Sequence, residues 1–160
     1  MVDFFRKAKK MRVRVAGIIE NENGEILFIQ QKKKNKEYWL LPGGGIEFGE
    51  SAEEALAREL KEELNLDTND SKFLFFSESI DPNGKKHLIQ IVFYVRVESY
   101  KAEIKDKALV DFAFLSHDKI LTLEIRPAIT EFFEEIEGKR IETLVIPDSL
   151  RFLKSRWLAD

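Results

Sequence analysis

Hydrophobic and polar residues alternate with the period of a β-strand near the start of the chain. Arg12 to Glu20 begins with this alternation and then becomes apolar, and Glu25 to Gln31 is a second apolar-rich segment. Asn21 to Gly24 supplies turn residues between them, so the two segments are predicted to pair as a hairpin. Tyr38 to Leu41 is a further short apolar segment, and Pro42 with the three glycines that follow it predicts an irregular loop.

The next segment carries the signals of a helix with its own start and end. Ser51 to Leu64 contains no Gly or Pro and is rich in residues that favour helices. Ser51 lies three residues before Glu54, which is the spacing of a capping box. Asn65 follows, and asparagine tolerates the left-handed backbone of a C-terminal cap. These signals predict a helix that ends at Leu64.

The remaining pattern predicts strands first and helices later. The predicted elements are strands at Lys72 to Ile80, His87 to Val97 and Val110 to Leu115, a helix from Pro127 to Glu137, a short strand at Thr143 to Ile146 and a helix at Ser149 to Leu158. The turn sequence Asp81 to Lys86 joins the first two strands. Together these elements predict an α/β fold, a sandwich in which a mixed sheet carries helices on both faces.

Length and composition fit a single domain over residues 1–160. Hydrophobic residues make up 44% of the chain and charged residues 34%, so a buried core is available. No segment approaches the roughly 18 to 20 apolar residues that cross a bilayer, so no membrane partner is expected. Residues 1–11 are interpreted as a basic N-terminal arm. The role of residues 139–160, a C-terminal extension, is left open.

The charge balance gives no general reason to bind a nucleic acid polymer or an anionic membrane, since the net charge is −3. Two local basic clusters stand out, at Arg6 to Lys10 and at Lys32 to Lys36. Each is either a solvated segment or a device that steers a phosphate-bearing ligand toward a nearby site. The chain has no cysteine, which excludes disulfides and thiolate chemistry and permits a reducing cytoplasm, the predicted location.

Three glutamates of the predicted helix share one side of it. At about 100° per residue, Glu59, Glu62 and Glu63 point largely away from the solvent face marked by Lys61 and flank the apolar stripe. Like charges at this spacing repel, and half-buried carboxylates lose hydration. Arg58 alone cannot neutralise three carboxylates, whereas a hard divalent cation with oxygen ligands can. The alternative interpretation is an ordinary charged surface helix.

A glycine-rich loop precedes this helix, and such a loop lets backbone approach a phosphate or a metal closely. Together the loop and the helix, Gly44 to Leu66, resemble the Nudix box, G-x5-E-x7-R-E-U-x-E-E-x-G-U, in which U is a bulky aliphatic residue. The matching positions are Gly44, Glu50, Arg58, Glu59, Leu60, Glu62, Glu63 and Leu66. The one departure is Asn65 in place of glycine, at a cap and not at a metal ligand. The resemblance implies the Nudix-type α/β/α sandwich.

The resemblance also implies a metal site and a reaction. The carboxylates of Glu59, Glu62 and Glu63, with the backbone carbonyl of Gly44, would bind Mg²⁺, for which Mn²⁺ could substitute. Water activated by the metal would attack phosphorus in a nucleoside diphosphate linked to another group. The partner is therefore a small-molecule nucleotide, and a homodimer is left open.

The remaining catalytic roles implied by the resemblance concern orientation and the general base. Arg58 and Glu50 are similar to the family's ion pair that orients the helix carboxylates. The base is either a box glutamate, here Glu63, or a carboxylate from a later loop. Asp106 and Asp111 are the candidates outside the box, with Asp106 preferred, and each also fits an ordinary loop acid.

Substrate signals are sparse. Pro82 lies 16 residues beyond Leu66, where ADP-ribose-type enzymes of the family often carry proline, but its DPNG context also explains it as a turn residue. ADP-ribose, a nucleotide sugar and a (d)NTP all remain open as substrates. The residues that could contact a base are Trp39, Tyr38, Phe28, Phe48, Phe93 and His87. Of these, Trp39 and Phe93 also fit the core, and His87 fits the surface.

Two other functions compete with that of a hydrolase. One is a catalytically inactive, nucleotide-sensing Nudix module, and the intact Glu59, Glu62 and Glu63 argue against it. The other is the family's isomerase branch, whose chemistry uses a cysteine that this chain lacks.

Overall fold

The computed structural model describes residues 9–159, so residues 1–8, which hold most of the predicted basic arm and part of the Arg6 to Lys10 cluster, lie outside it. The described elements are β1 (Arg12–Ile18), β2 (Ile26–Lys33), β3 (Lys36–Leu40), β4 (Gly43–Gly45), α1 (Ala52–Leu64), β5 (Thr68–Ile80), β6 (His87–Val97), β7 (Leu109–Leu115), α2 (His117–Ile120), α3 (Thr130–Ile136) and β8 (Phe152–Lys154). Short 3₁₀ turns at Ile141–Thr143 and Asp148–Leu150 precede β8.

The strands form two sheets. The larger has the order β4-β1-β6-β5-β8, and the smaller has the order β3-β2-β7. In the larger sheet β1 runs parallel to β6 and β5 runs parallel to β8, while the other neighbours are antiparallel. This arrangement confirms the prediction of an α/β fold with a mixed sheet.

Helices cover the sheets on two sides, each over its own apolar core. The α1 side buries Leu56, Leu60 and Leu64 against strand residues that include Val15 and Leu27. The other side contains the buried aromatic residues of α3 and the sheet, Phe28, Phe75, Phe132 and Phe133. Phe75 stacks on Phe132 with their ring centroids 4.4 Å apart. Burial on both sides produces the predicted sandwich.

The turn predicted between the first two strands forms, but the prediction that these strands pair as a hairpin is wrong. Gly24 has a φ of 76° and donates its N–H to the Asn21 carbonyl at 3.0 Å, so the turn forms as expected. However, β1 and β2 share only a bridge between Glu20 and Ile26 before they enter different sheets. Both edges of β1 are occupied, by β4 and β6, which leaves no edge for β2.

The three glycines after Pro42 form a strand, which corrects the predicted irregular loop. Gly44 pairs with Val15 and Gly43 pairs with Ala16. A Cβ on Gly43 would lie 2.0 Å from the Val15 carbonyl oxygen, so the close approach of β4 to β1 requires glycine there. The glycines therefore serve strand pairing beside α1.

The predictions at the C-terminal end need correction. The second predicted helix begins at Thr130 and not at Pro127, which lies in an irregular segment. Thr143 to Ile146 forms no strand, and Ser149 to Leu158 contains a 3₁₀ turn and β8 in place of a helix. The open edge of β5 explains the latter, since Phe152 pairs in parallel with Phe76 and satisfies backbone groups of β5.

Among residues 9–159 no helix has the length and apolar character needed to span a bilayer; α1, with 13 residues, is too short and too polar.

Candidate active site

Helix α1 has the ends that its sequence predicts. Ser51 Oγ accepts from the Glu54 N–H at 3.1 Å, and Glu54 Oε2 accepts from the Ser51 N–H at 2.8 Å, so the capping box is complete. Asn65 adopts the left-handed conformation with a φ of 53°. Because both ends are fixed and the leucines are buried, the carboxylates on α1 occupy set positions relative to β4.

The three box glutamates differ in exposure. Glu63 is buried, and the Glu59 side chain is 17% exposed, as expected for side chains that flank the apolar stripe. The Glu62 side chain is 61% exposed, so the prediction that it also turns away from solvent is wrong. The helix therefore offers two carboxylates toward the sheet and a third at its rim.

Arg58 links four parts of the site. Its guanidinium donates to Glu50 through Nη2 at 2.6 Å and Nε at 3.1 Å. It also donates to the Glu59 carboxylate at 2.9 Å, to the Gly45 carbonyl at 3.1 Å and to the Glu62 carboxylate at 3.4 Å. The position between helix and loop is that of an orienting group, which is the role expected from the resemblance.

Backbone of β4 lies directly against the carboxylates. The Gly43 N–H donates to Glu63 Oε1 at 2.9 Å. A Cβ on Gly44 would lie 2.3 Å from the Glu59 carboxyl carbon and 2.5 Å from both of its oxygens. Gly44 does not have a positive φ, so glycine is needed there for space, which leaves the Glu59 carboxylate close to the backbone of β4.

Burial gives Glu63 an unusual pKa. Loss of solvation raises the pKa of Glu63 to about 7, and the charges of Glu59 and Asp106 raise it further, while Arg14 and the Gly43 N–H oppose the shift. The Arg58 hydrogen bonds hold the pKa of Glu50 below its ordinary value. Near pH 7 the Glu50 carboxyl is therefore ionised, whereas the Glu63 carboxyl is in the middle of its titration.

Arg14 is a second cation at the site that the sequence reasoning missed. Its side chain is 5% exposed, donates from Nη2 to the Leu41 carbonyl at 2.9 Å and interacts electrostatically with Glu63. Burial lowers the pKa of Arg14 to about 10. The available signal was the alternation Arg12, Arg14, Ala16 along β1, because it places an arginine on the same face as a core residue.

A pocket of about 270 Å³ opens beside these residues, between Gly43 and Arg14 on one side and the chain after β8 on the other. Its cations are Lys10, Arg12, Arg14, Lys33, Lys85, Lys86, Arg126 and Arg156. No aspartate or glutamate is among the described residues that line it. Such a lining attracts an anionic ligand to the side of the carboxylates.

Three buried polar side chains lie in one row across the larger sheet. Arg14 in β1 pairs with Gln90 in β6, and Gln90 pairs with Ser77 in β5. Arg14 Nε, both amide atoms of Gln90 and Ser77 Oγ have no hydrogen-bond partner among residues 9–159. Buried polar groups are normally paired, so this row marks a region built for more than packing.

Of the two candidate bases outside the box, Asp106 lies at the site. The Lys105 N–H donates to the Glu63 carbonyl at 2.8 Å, which ties the loop to α1, and the Asp106 charge acts on Glu63. Asp111 pairs with Gln30 in the smaller sheet and accepts from the Phe112 N–H. The geometry therefore favours Asp106 over Asp111.

The aromatic candidates divide between the core and the pocket. Phe28 and Phe93 are buried, Trp39 packs against the core, and Phe48 is fully exposed. Tyr38 and His87 line the pocket, as does Trp157, which the sequence reasoning did not single out. Pro82 lies in a turn closed by a hydrogen bond from the Gly84 N–H to the Asp81 carbonyl at 2.8 Å.

The donor atoms on α1 and β4 suit a hard divalent cation, since carboxylate and carbonyl oxygens are the ligands that Mg²⁺ takes. The close approach of the Glu59 carboxylate to Gly44, which a Cβ would prevent, places one such donor against the backbone of β4. Within residues 9–159 no three Asp, Glu, His or Cys side chains converge as a complete metal-binding group. Fewer side-chain ligands are expected for Mg²⁺, which usually keeps several waters.

Comparison with known proteins agrees with this geometry. The family model described as NUDIX domain matches residues 10–136. The ADP-ribose pyrophosphatase of Methanocaldococcus jannaschii is 34% identical over 118 residues, which cover 68% of this chain and 70% of that protein. The RNA pyrophosphohydrolase of Baumannia cicadellinicola is 43% identical over 63 residues, but these cover only 39% of this chain and 38% of that protein.

Among solved structures, the NUDIX hydrolase from Nitrosomonas europaea superposes with a TM-score of 0.69 at 24% identity, covering 87% of this chain and 99% of that one. At this identity the superposition shows a shared fold. The family match over most of the residues and the similarity to the archaeal pyrophosphatase show that this chain belongs to the Nudix family of hydrolases, which act on pyrophosphate bonds.

Proposed function

We propose that this protein is a Mg²⁺-dependent hydrolase that cleaves the diphosphate linkage of a nucleoside diphosphate joined to a second group, with ADP-ribose as the first substrate to test. The observation that carries the proposal is the contact between α1 and β4, where Glu59 and Glu63 meet the glycine backbone beside a cation-lined pocket. The archaeal relative named for ADP-ribose supports this choice of substrate.

In this proposal Glu59, Glu62, Glu63 and the Gly44 carbonyl hold Mg²⁺, for which Mn²⁺ can substitute. When bound, the metal supplies an activated water and offsets charge on the phosphoryl oxygens. Arg58, paired with Glu50, keeps Glu59 and Glu62 in position. Because Glu62 is at the rim, its contribution depends on a rotation of its side chain toward Glu59.

The reaction consumes one water, and one oxygen–phosphorus bond forms as another breaks. The water oxygen forms a bond to phosphorus, and the bond from that phosphorus to the bridging oxygen breaks, so the departing phosphate takes the electron pair. Asp106 or Glu63 accepts the water proton, since the Asp106 loop is tied to Glu63. The products are a nucleoside monophosphate and the phosphorylated remainder. Arg14 and the pocket cations bind the phosphates.

The test is a substrate panel with product identification by mass. ADP-ribose, a nucleotide sugar, a dNTP and a 5′-triphosphorylated RNA are incubated with Mg²⁺, with Mn²⁺ and with a chelator. We expect cleavage of ADP-ribose with either metal and none with the chelator. Glu62→Gln should lower turnover by about 10-fold or more, whereas Glu53→Gln, the same change at an exposed position of α1, should not.

Two results would contradict the proposal. One is turnover by Glu62→Gln equal to that of Glu53→Gln, which would remove Glu62 from the metal site. The other is binding of nucleotides with no cleavage of any, which would support an inactive sensing module. A cytoplasmic location remains a prediction from the sequence.

A further inference from the structure

The buried Arg14 lies outside the box of Gly44 to Leu66, yet it contacts the chain that leads into β4. Its Nη2 donates to the Leu41 carbonyl at 2.9 Å, and this hydrogen bond is itself buried. Leu41 and Pro42 are the two residues between the end of β3 and the start of β4. Because β3 belongs to the smaller sheet and β4 to the larger, Arg14 holds the point where the chain crosses between the sheets.

The backbone of β1 holds the two ends of β4. The Gly17 N–H donates to the Pro42 carbonyl at 2.9 Å, and the Ile46 N–H donates to the Val13 carbonyl at 3.2 Å. Since β4 has three residues, it has few pairing hydrogen bonds of its own, and contacts at its ends fix its place along β1. Arg14 adds a side-chain contact at the first of these ends.

The position of β4 matters because this strand meets two carboxylates of α1. The Gly43 N–H donates to Glu63 Oε1 at 2.9 Å. Gly44 leaves room for the Glu59 carboxylate, whose oxygens would lie 2.5 Å from a Cβ at that position. In the proposed function the Gly44 carbonyl and both carboxylates hold the metal. A shift of β4 along β1 would therefore move a backbone ligand and release Glu63 together.

Burial of the Arg14 guanidinium requires compensation. The residue is 5% exposed, and a charged group loses hydration when it leaves water. The Leu41 carbonyl and the negative charge of Glu63 provide the compensation. An apolar side chain of similar volume would fill the space without this cost. The charge and the donor of Arg14 therefore indicate a role at the site rather than in packing alone.

We propose that Arg14 is a positioning residue for the metal site, because its hydrogen bond to Leu41 fixes β4 so that the Gly44 carbonyl and Glu63 reach one metal ion. The inference rests on the proposed function for the presence of the metal. The role is separate from the phosphate contact that the proposed function gives to the pocket cations. Removal of a group that orients metal ligands typically weakens metal affinity or activity by about 10- to 100-fold.

The first experiment uses the metal-free protein without nucleotide, so that neither metal binding nor cleavage contributes. Hydrogen exchange of the Gly43 amide, measured by NMR at a single pH, reports its hydrogen bond to Glu63. Arg14→Met removes the donor to Leu41, and exchange at Gly43 should accelerate by about 5- to 50-fold. Arg12→Met is the matched control, because it removes a cation of the same strand and pocket but leaves the Leu41 hydrogen bond in place. Its Gly43 exchange should stay within about 2-fold of the wild type.

The second experiment measures the affinity for Mn²⁺ alone by calorimetry. Arg14→Met should weaken Mn²⁺ binding by about 10- to 100-fold, and Arg12→Met should change it by less than about 2-fold. The direction of the change is diagnostic, since an arginine that acted only through its charge would repel the ion, and its removal would strengthen binding. With ADP-ribose and Mg²⁺, Arg14→Met should lower kcat, whereas Arg12→Met should act mainly on KM.

A conservative variant and two folding checks complete the design. Arg14→Lys keeps one donor for the Leu41 carbonyl, so it should recover most of the Mn²⁺ affinity that Arg14→Met loses. Thermal unfolding shows whether each variant is folded. Exchange of the Ile46 amide, which bonds to Val13 at the other end of β4, should remain slow in all of them.

Equal Gly43 exchange in the wild type and Arg14→Met would overturn the inference. Mn²⁺ binding by Arg14→Met that equals or exceeds that of the wild type would also overturn it, as would Arg14→Lys binding Mn²⁺ no better than Arg14→Met. Failure of the proposed function gives a different result. A protein that shows both Arg14 effects but cleaves none of the panel loses only the proposed function, and one that cleaves ADP-ribose without either effect loses only the inference.

Discussion

The guanidinium of Arg58 meets the carboxylate of Glu50 through two hydrogen bonds, Nη2 to Oε1 at 2.6 Å and Nε to Oε2 at 3.1 Å. This bidentate pair fixes the plane of the guanidinium. The remaining nitrogen, Nη1, can then donate to Glu59 at 2.9 Å. The hydrogen bonds raise the pKa of Arg58 above its ordinary value and lower that of Glu50, so both groups stay charged. Glu50 therefore acts on the Glu59 carboxylate through Arg58.

A lysine at position 58 should keep the positive charge but lose the paired hydrogen bonds that the guanidinium makes. Arg58→Lys leaves one point donor that cannot hold Glu50, Glu59 and the Gly45 carbonyl together. We expect turnover to fall by about 10- to 100-fold, as is typical when a reacting geometry shifts by about 1 Å. Steady-state hydrolysis with Mg²⁺ measures this. Lys61→Arg, on the outer face of α1, is the control, and equal turnover by the two variants would contradict the positioning role.

The two neighbouring glycines of β4 should respond oppositely to alanine. A Cβ on Gly44 would overlap the Glu59 carboxylate at 2.3 to 2.5 Å, whereas a Cβ on Gly45 would have no atom within 4 Å. Gly44→Ala should therefore displace Glu59 and lower turnover by about 100-fold, with the fold intact. Gly45→Ala should stay within about 2-fold of the wild type. Turnover and circular dichroism of both variants measure this, and loss of activity in both would remove the steric explanation.

The buried carboxyl of Glu63 should make the metal-free protein less stable as pH rises. Its pKa in the folded protein is about 7, against an ordinary value of 4.5, so the folded state holds a proton that the unfolded chain has released between these pH values. The stability that Glu63 contributes is fully present below pH 4.5 and is lost as pH rises through about 7. This loss lowers the free energy of unfolding by on the order of 3 kcal/mol. Thermal unfolding with a chelator at about pH 5 and about pH 8 measures the change.

Magnesium should reverse this trend, because a ligand carboxylate must lose its proton before it binds metal. The rise in melting temperature that Mg²⁺ produces should therefore be larger at about pH 8 than at about pH 5. Glu63→Gln cannot ionise, so its metal-free stability should vary less with pH than that of the wild type. Identical pH profiles for the two proteins would show that Glu63 is not the group responsible.

The features that could be predicted from the sequence are those fixed by neighbours along the chain. The capping box of Ser51 and Glu54 and the left-handed Asn65 are local, because each depends on residues within one helical turn. The spacing of Glu59 and Glu63 on α1 follows from helical periodicity in the same way. Local geometry therefore placed Glu59 and Glu63 correctly on the inner side of α1, but not Glu62.

The features that could not be predicted depend on partners distant in the chain. The assignment of β1 and β2 to different sheets depends on β6, and β8 became a strand because β5 had an open edge. Arg14 could not be recognised as part of the site until the pairing of β4 with β1 brought Gly43 and Glu63 beside it. Glu62 was misplaced because its exposure depends on what packs against α1. The cationic half of the site therefore required the fold.

The buried amide of Gln90 gives a prediction in which stability and function oppose each other. Gln90 is fully buried between Arg14 and Ser77, and neither of its amide atoms has a hydrogen-bond partner among residues 9–159. Unpaired buried donors and acceptors are costly, so Gln90→Met, which is close in shape, should raise the free energy of unfolding by about 1 to 2 kcal/mol. Chemical denaturation measures this change.

Gln90 lies next to Arg14 in the row of buried polar side chains, and Arg14 lines the pocket. The amide therefore gives Arg14 a polar neighbour. Gln90→Met should therefore weaken nucleotide binding while it stabilises the fold, because the polar surroundings of Arg14 are lost. Gln30→Met is the control, since Gln30 lies in β2 with its amide bonded to Glu37 at 3.3 Å, and no gain in stability is expected. If Gln90→Met instead destabilises the protein, the amide is paired through ordered water, and the polarity of Gln90 serves folding and not ligand binding.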